Sequence, residues 1–593
     1  MIKIAFINRG ILKEDDLNNH IIVPLNAIAM RDVLLRKTNY IKIEDFIDYG
    51  FAKTIKETLW QTFQALLDKA DDIVSKVYDN YKIKSYGPFN LYAMGIRQMF
   101  DTMVLNYIGL SNIISKKKPG GINLLIKETK DINAEITVDK YINNFYQIIL
   151  KHIAQKRNIN MVIHSISSKY NQVNEKTWSR NVLSQAIKEL IKSNRLYYYW
   201  KREIHEKNVN KINEKALFLQ YDWGVYYYSQ FFTHVVNDTK IKGYVNNNKT
   251  HKNYLDIPCA EIIGKLKGEI DGLSNLIGLD VKFIVEETLK PYIKRVPQII
   301  SRAFRSEDSL NKLNPRFVFF TNLHGNMLPF LMALCWNNEI IKVMKQHGDT
   351  MYDVTVWRNN ELKPVNLYFT EFKEIAEYWK TNAEVANIKC RCECDGIRVN
   401  KYYRKTKTKN KLVYVPGFFD PRLSFDMERM PQPLFFRIQK RILQVLNQQK
   451  DFDDVVYKCL PGQHDFHYPV PQYINSHFKN IRISHKPLIH ELKDTMYCLL
   501  DAPLSSMWEA INMNVPCQAL VWNKYHLRPT AAEHYDKFLT YYNSDIDVSE
   551  KLQSILELKR FHTIDPNERK NMKRRPDDIT TIFINELSDC KVL

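Results

Sequence analysis

The sequence predicts an α/β protein, and three observations carry that expectation. Short, nearly continuous apolar runs recur along the 593 residues; longer stretches of helical spacing fall between them; and several runs end in small or polar residues where a helix begins. The expected strands are 2–8, 122–128, 160–166, 316–322, 340–346, 411–417, 454–460 and 497–503. Parallel strands covered on both faces lose the usual alternation, and several of these segments have lost it. Helices are expected over 55–80, 88–115, 180–194, 258–308 in pieces, 327–337, 371–382, 432–450, 506–513 and 549–559.

The length and the 45% hydrophobic content favour two or more cores over one. The segment 401-KYYRKTKTKNK-411 alternates lysine with polar residues and precedes a fresh apolar run, so it reads as a linker. The expected division is therefore an N-terminal unit over 1–400, the linker 401–411, a C-terminal unit over 412–575 and a tail over 576–593.

Bulk properties narrow the function. No run of roughly 18 uncharged apolar residues occurs, so no bilayer span is expected. The start MIKIAFINRGILKEDD lacks the apolar core of a secretory leader, which places the protein in the cytoplasm. Nine cysteines, an odd number, point to reduced thiols. A formal charge of +20 calls for an anionic partner: phosphate-bearing substrate, lipid headgroups or nucleic acid. The basic cluster 570-KNMKRRPDD-578 is a solvated face or a contact for anionic headgroups.

Four segments place polar residues at the ends of expected strands, where an open parallel sheet binds its ligands. In 340-IIKVMKQHGDTMYD-353 the run ends in Gln346, His347, Gly348 and Asp349. In 316-RFVFFTNLHGNMLPF-330 it ends near His324, which either serves chemistry as a neutral-pH base or caps the following helix. In 454-DVVYKCLPGQHDFH-467, Lys458 could neutralise a diphosphate, with His464 in the loop beyond. In 497-YCLLDAPLSSMWEAINMN-514, Ser505 and Ser506 precede a helix. Hydroxyls and free N–H groups there suit phosphate; a capping box between Ser506 and Glu509 would need no ligand. The cluster 390-CRCEC-394 puts three thiols on one face of a strand without the paired knuckles of structural zinc, and no metal is expected. A P-loop, G-x-G-x-x-G, H-E-x-x-H and G-x-S-x-G are all absent from the sequence.

Taken in order, KQHGD, NLYFTEFKEIAEYW, CDGIRVN, LVYVPGFF, VVYKCLPG and LLDAPLSSMWEAINMNVPCQALVW resemble the GT-B glycosyltransferases, in the branch of the CDP-glycerol glycerophosphotransferases and bacterial capsule and lipopolysaccharide transferases. The resemblance spans roughly 316–525 and leaves the first 300 residues unaligned. It implies two Rossmann-like domains with an enlarged helix-rich N-terminal half. It implies that His347, with His324 and Asp349, serves catalysis, and that Lys458, His464, Ser505, Ser506, Glu509, Gly348 and Pro416 hold a nucleotide-sugar donor. It implies no cofactor and no divalent metal, a lipid-linked or glycan acceptor, and a peripheral contact with the inner membrane face. One departure stands out: where such families carry Lys-x-His-Pro, this chain reads Lys458, Cys459, Leu460, Pro461. A nucleotide-sugar epimerase of the same architecture is the first alternative. A nucleic-acid binder, stacking bases on 196-LYYYWKREIHEKNVNK-211, is the second.

Overall fold

The computed structural model describes residues 3–7, 20–77, 87–127, 138–166, 211–219, 227–237, 259–321, 328–337, 339–346, 351–353, 361–396, 408–417, 430–459, 469–565, 567–568 and 576–592. The expected 180–194 helix and the aromatic stretch 196–210 lie outside them, as do most of the 401–411 linker and the basic residues 570–575.

Three parallel sheets form. The first joins β1 (Lys3–Ile7), β2 (His20–Pro24), β3 (Gly121–Lys127) and β4 (Asn160–Ile166) in the order β2-β1-β3-β4. The second joins β5 (Ile212–Phe218), β6 (Phe232–Asn237), β7 (Phe317–Phe320), β8 (Ile341–Lys345), β9 (Leu367–Thr370) and β10 (Arg391–Cys394). Counted from its own first strand, its order is 2-1-3-4-5-6. The third joins β11 (Lys411–Val415), β12 (Asp454–Lys458), β13 (Ile481–Ser484), β14 (Tyr497–Leu500), β15 (Cys517–Trp522) and β16 (Leu539–Tyr542) in the order 3-2-1-4-5-6. These are the two common doubly wound orders, so two Rossmann-like sheets stand in the chain as expected. The helix-rich N-terminal half carries the four-stranded sheet in addition, which the sequence reading did not separate.

The strands are what their composition requires. β7, β8, β9, β11 and β15 are buried at every position, with helices over both faces. Lysines inside such strands need partners. Lys345 of β8 donates to Asp395 at 2.7 Å, and Tyr228 donates to the other carboxyl oxygen at 2.7 Å. Lys411, opening β11, donates to the Glu491 carbonyl at 2.7 Å and pairs with Asp494.

The three sheets share apolar cores. One contains Ile4 and Phe6 of the first sheet, Val318 and Phe320 of the second, and Val413 and Val456 of the third. Tyr49 meets Trp522 edge to face at 5.0 Å, and Arg437 pairs with Glu44, which fasten the first sheet's unit to the third's. The second and third sheets meet along a seam: Tyr352 bridges Leu527 antiparallel, Asp353 N–H donates to the His526 carbonyl at 3.0 Å, and Arg528 N–H to the Met351 carbonyl at 2.8 Å.

Residues 576–593, read from sequence as a tail, carry the Pro576–Val592 helix, which docks on the second sheet. Phe583 is fully buried there, its ring 5.4–5.9 Å from those of Tyr228, Phe232, Phe317, Phe319 and Phe369. Phe583→Ala is expected to cost about 3–5 kcal/mol through lost contact and the cavity left behind, read as a fall in the urea midpoint.

Candidate functional site

The topological switch of the third sheet lies between β11 and β14, and the turns that follow those strands shape the crevice above it. After β11 come Pro416 and Gly417, both buried. After β14 comes Asp501, 1% exposed, which accepts from Tyr414 Oη at 2.7 Å, from Gln439 Nε2 at 2.8 Å and from the Gly417 N–H. Burial pushes its carboxyl up to about 6 against the pull of those hydrogen bonds. A Cβ on Gly417 would stand 3.0 Å from the Phe435 ring and 3.2 Å from Asp501 Oδ1, so only glycine brings the backbone this close without a shift. Pro416 thus sets the turn that Asp501 anchors.

Beyond Asp501 the chain turns into the Ser505–Asn512 helix. Its N-cap is Leu504, in extended conformation, and no side chain caps it. The capping box between Ser506 and Glu509 is therefore not formed: Ser506 is the helix's second residue, and its backbone is already helical. Ser505 is exposed and Ser506 half-buried. Orphan N–H groups, two hydroxyls and the positive end of the dipole share this helix start.

Lys458 closes β12 and is 3% exposed. Its ammonium donates to the Cys459 carbonyl. Loss of water lowers its pKa, opposed by Cys459, Glu491 and Glu509. Glu509 keeps an accessible face, but the cleft walls crowd its carboxyl, and that desolvation, with the negative charge of Glu371, pushes it up to about 7; Lys458 pulls the other way. Glu371 follows β9 of the second sheet. Its neighbour Phe372 packs on Trp508 of the Ser505–Asn512 helix, ring centres 4.1 Å apart. Met351, beyond β8, donates its N–H to the Pro503 carbonyl at 3.3 Å. The residues that follow β8 and β9 thus meet those that follow β14 and β15, so the carboxyl edges of the two six-stranded sheets face each other. That is the GT-B arrangement.

Of the sequence candidates, the structure puts Lys458 within electrostatic reach of Glu509, on the helix that Ser505 and Ser506 begin, and Pro416 after β11, the strand between β12 and β14. His324, His347, Gly348, Asp349 and His464 lie outside the described residues. Sequence reasoning missed Glu371 and Asp501. Each is an acid directly after a strand, in LYFTE and CLLD, and that position was the available signal.

From Glu371 a pocket of about 900 Å³ runs beside the Lys373–Val385 helix to the edge strand β10, past Glu377, Arg391 and His534. Cys390, Cys392 and Cys394 line it, and burial holds the Cys390 thiol well above its ordinary pKa. Among the described residues no three His, Cys, Asp or Glu side chains form a metal-holding group.

No protein-family model matches the chain, and no curated protein matches it. Solved structures do. The S. aureus MnaA–UDP co-structure shares 13% identity over 61% of this chain and 91% of that one, at a TM-score of 0.36. UDP-GlcNAc 2-epimerase from Neisseria meningitidis, bound to UDP-GlcNAc, shares 12% over 52% and 89%, at 0.31. The glycosyltransferase SnogD from Streptomyces nogalater shares 9% over 63% and 100%, at 0.32. Likenesses at these scores decide nothing by themselves; the strand orders and the facing edges do.

The raised pKa of Glu509 has a measurable sign. Its contribution to stability is complete below about pH 4.5, the group's ordinary value, and is lost as pH rises through about 7. The thermal midpoint of wild type relative to Glu509→Gln is expected to decline across that window. A pH-independent difference would contradict the placement of Glu509.

Proposed function

We propose that the chain is a glycosyltransferase that moves a sugar, or a sugar-like unit, from a nucleotide donor to a glycan acceptor. The observation that carries the proposal is the uncapped Ser505–Ser506 helix start beside Lys458, on the carboxyl edge of a Rossmann-like sheet that faces a second one. The helix start takes the donor diphosphate through its N–H groups and the two hydroxyls, as oriented amides favour phosphate oxygens. Lys458, already short of water, gains a phosphate as counter-ion. Together they supply the neutralisation that other transferases draw from a divalent cation. Glu509 takes the ribose hydroxyls; with a pKa of about 7 it both accepts and donates near neutrality. His347, with Asp349 and His324, keeps its proposed part in activating the acceptor, and Gly348 and His464 theirs beside the donor. The acceptor is a bacterial surface polysaccharide, capsule or lipopolysaccharide, and the charge of +20 draws the enzyme to anionic lipid where that acceptor grows.

A second reading, a nucleotide-sugar epimerase, is favoured by one observation: Glu371 and Glu509 approach from opposite sheets closely enough to raise the Glu509 pKa. Two carboxyl groups across a cleft suit proton removal and return on the donor itself. Turnover of donor alone, without acceptor, selects this reading.

Thermal unfolding in the presence of CDP, UDP or GDP tests the shared claim. One of these, at about 100 times its Kd, is expected to stabilise the protein by about 2.7 kcal/mol. The Ser505→Ala, Ser506→Ala double variant is expected to lose that shift, and Lys458→Met to weaken the affinity at least tenfold. No shift with any nucleotide contradicts a nucleotide-dependent enzyme.

A further inference from the structure

Arg528 precedes the Pro529–His534 helix and is 1% exposed. Its Nε and Nη1 are sealed from solvent and, among the described residues, have no hydrogen-bond partner. Among the described residues no carboxylate pairs with it; the guanidinium lies over the rings of Tyr378 and Trp379, at 5.3 and 5.0 Å. Ring faces return only part of what a buried guanidinium loses in hydration and hydrogen bonds. Three other buried cations do have an anionic partner: Lys345 has Asp395, Lys411 has Glu491 and Asp494, and Arg437 has Glu44; among the described residues, Lys458 of the proposed donor site has only the Cys459 carbonyl.

The place is as telling as the missing partner. Met351 bridges Arg528 to the donor side of the cleft, accepting from the Arg528 N–H at 2.8 Å and donating to the Pro503 carbonyl at 3.3 Å, two residues before Ser505. Trp508, one turn into the Ser505–Asn512 helix, has its indole Nε1 sealed and unpartnered as well. Unsatisfied donors thus gather at the seam beside a helix start that is itself all donors. Such a set lacks an acceptor with several oxygens.

We infer that Arg528 is a phosphoryl-binding residue, swinging off Trp379 to pair with a terminal phosphate oxygen of the donor at the Ser505 end of the cleft. The inference rests on the donor reading above and adds to it a cation reaching in from the seam. The swing gives up ring contacts and no hydrogen bond or ion pair of the guanidinium, so an arriving anion needs to displace little.

The test uses the full chain, with inorganic pyrophosphate and UDP as probes, in wild type, Arg528→Met and Arg528→Lys. Expected for Arg528→Met is a ligand-free thermal midpoint at or above that of wild type, because an unpaired buried charge is removed, with pyrophosphate affinity at least tenfold weaker. Arg528→Lys is expected to be weakened tenfold as well, since a lysine cannot make the two-pronged contact. Unchanged affinity in Arg528→Met overturns the inference and leaves the donor reading standing. If Arg528→Met does not fold, Arg528→Lys decides: unchanged affinity overturns the inference, and tenfold weakening upholds it. A wild type that binds neither probe overturns both.

Discussion

Everything in the cleft depends on one buried ion pair. Lys56, 3% exposed, reaches from the Tyr49–Val77 helix of the N-terminal unit and donates to the Asp353 carbonyl at 2.9 Å, with the Asp353 carboxylate at 3.6 Å and His526 Nδ1 at 3.2 Å. Tyr378 donates to the same carboxylate. Lys56 belongs to the first unit, Asp353 and Tyr378 to the second, and His526 to the third, so one charge pair is shared by all three. One turn along the helix, Trp60 packs with Tyr352 and Ala502 and brings apolar contact to the same junction. A buried pair of this kind adds little net stability, but it penalises any arrangement that leaves either charge alone. Here the arrangement it holds is the one in which two carboxyl edges face each other.

The same logic separates scaffold from site. Lys345 with Asp395, Lys411 with Glu491, and Arg437 with Glu44 are charges the fold has matched. Asp501 is matched differently, by three donors that knit the ends of β11 and β14. Glu509 and Arg528 are charges left short of partners, and both lie at the opening between the second and third sheets. Local rules broken without local compensation are where a fold pays for function. The acid-rich pocket beside β10 differs from the helix start in sign: Glu371, Glu374, Glu377 and Glu393 line it, and they repel phosphate. The two ends of the opening therefore divide between anionic and neutral or cationic chemistry.

Much of this was legible in the sequence, and the exceptions have physical causes. The strands with unbroken apolar runs, such as FVFF and KLVYV, could be read because burial on both faces leaves no alternation to confuse. β2 could not, since HIIVP ends in proline, nor could β5, INEKALF, whose first half carries Asn, Glu and Lys; neighbours in the sheet, not composition, made them strands. β13, IRIS, was hidden because arginine and serine are tolerated at a sheet edge, where Arg482 pairs with Asp454 at 2.7 Å. Ser505 and Ser506 were legible as a helix start, but that neither of them caps it was not, because the cap is decided by the backbone conformation of Leu504. Glu371 stayed hidden for a different reason: its significance comes from Glu509 and Lys458, which are more than eighty residues away in sequence and belong to another sheet.

The central claim is that the facing edges hold a nucleotide-linked phosphate at the start of the Ser505–Asn512 helix. The most direct measurement is a crystal structure of the protein with UDP or CDP bound. The account predicts the phosphates within hydrogen-bond distance of the Ser505 and Ser506 N–H groups, with the Lys458 ammonium turned toward them. A nucleotide seated in the pocket beside β10, or on any surface away from that helix start, would contradict it.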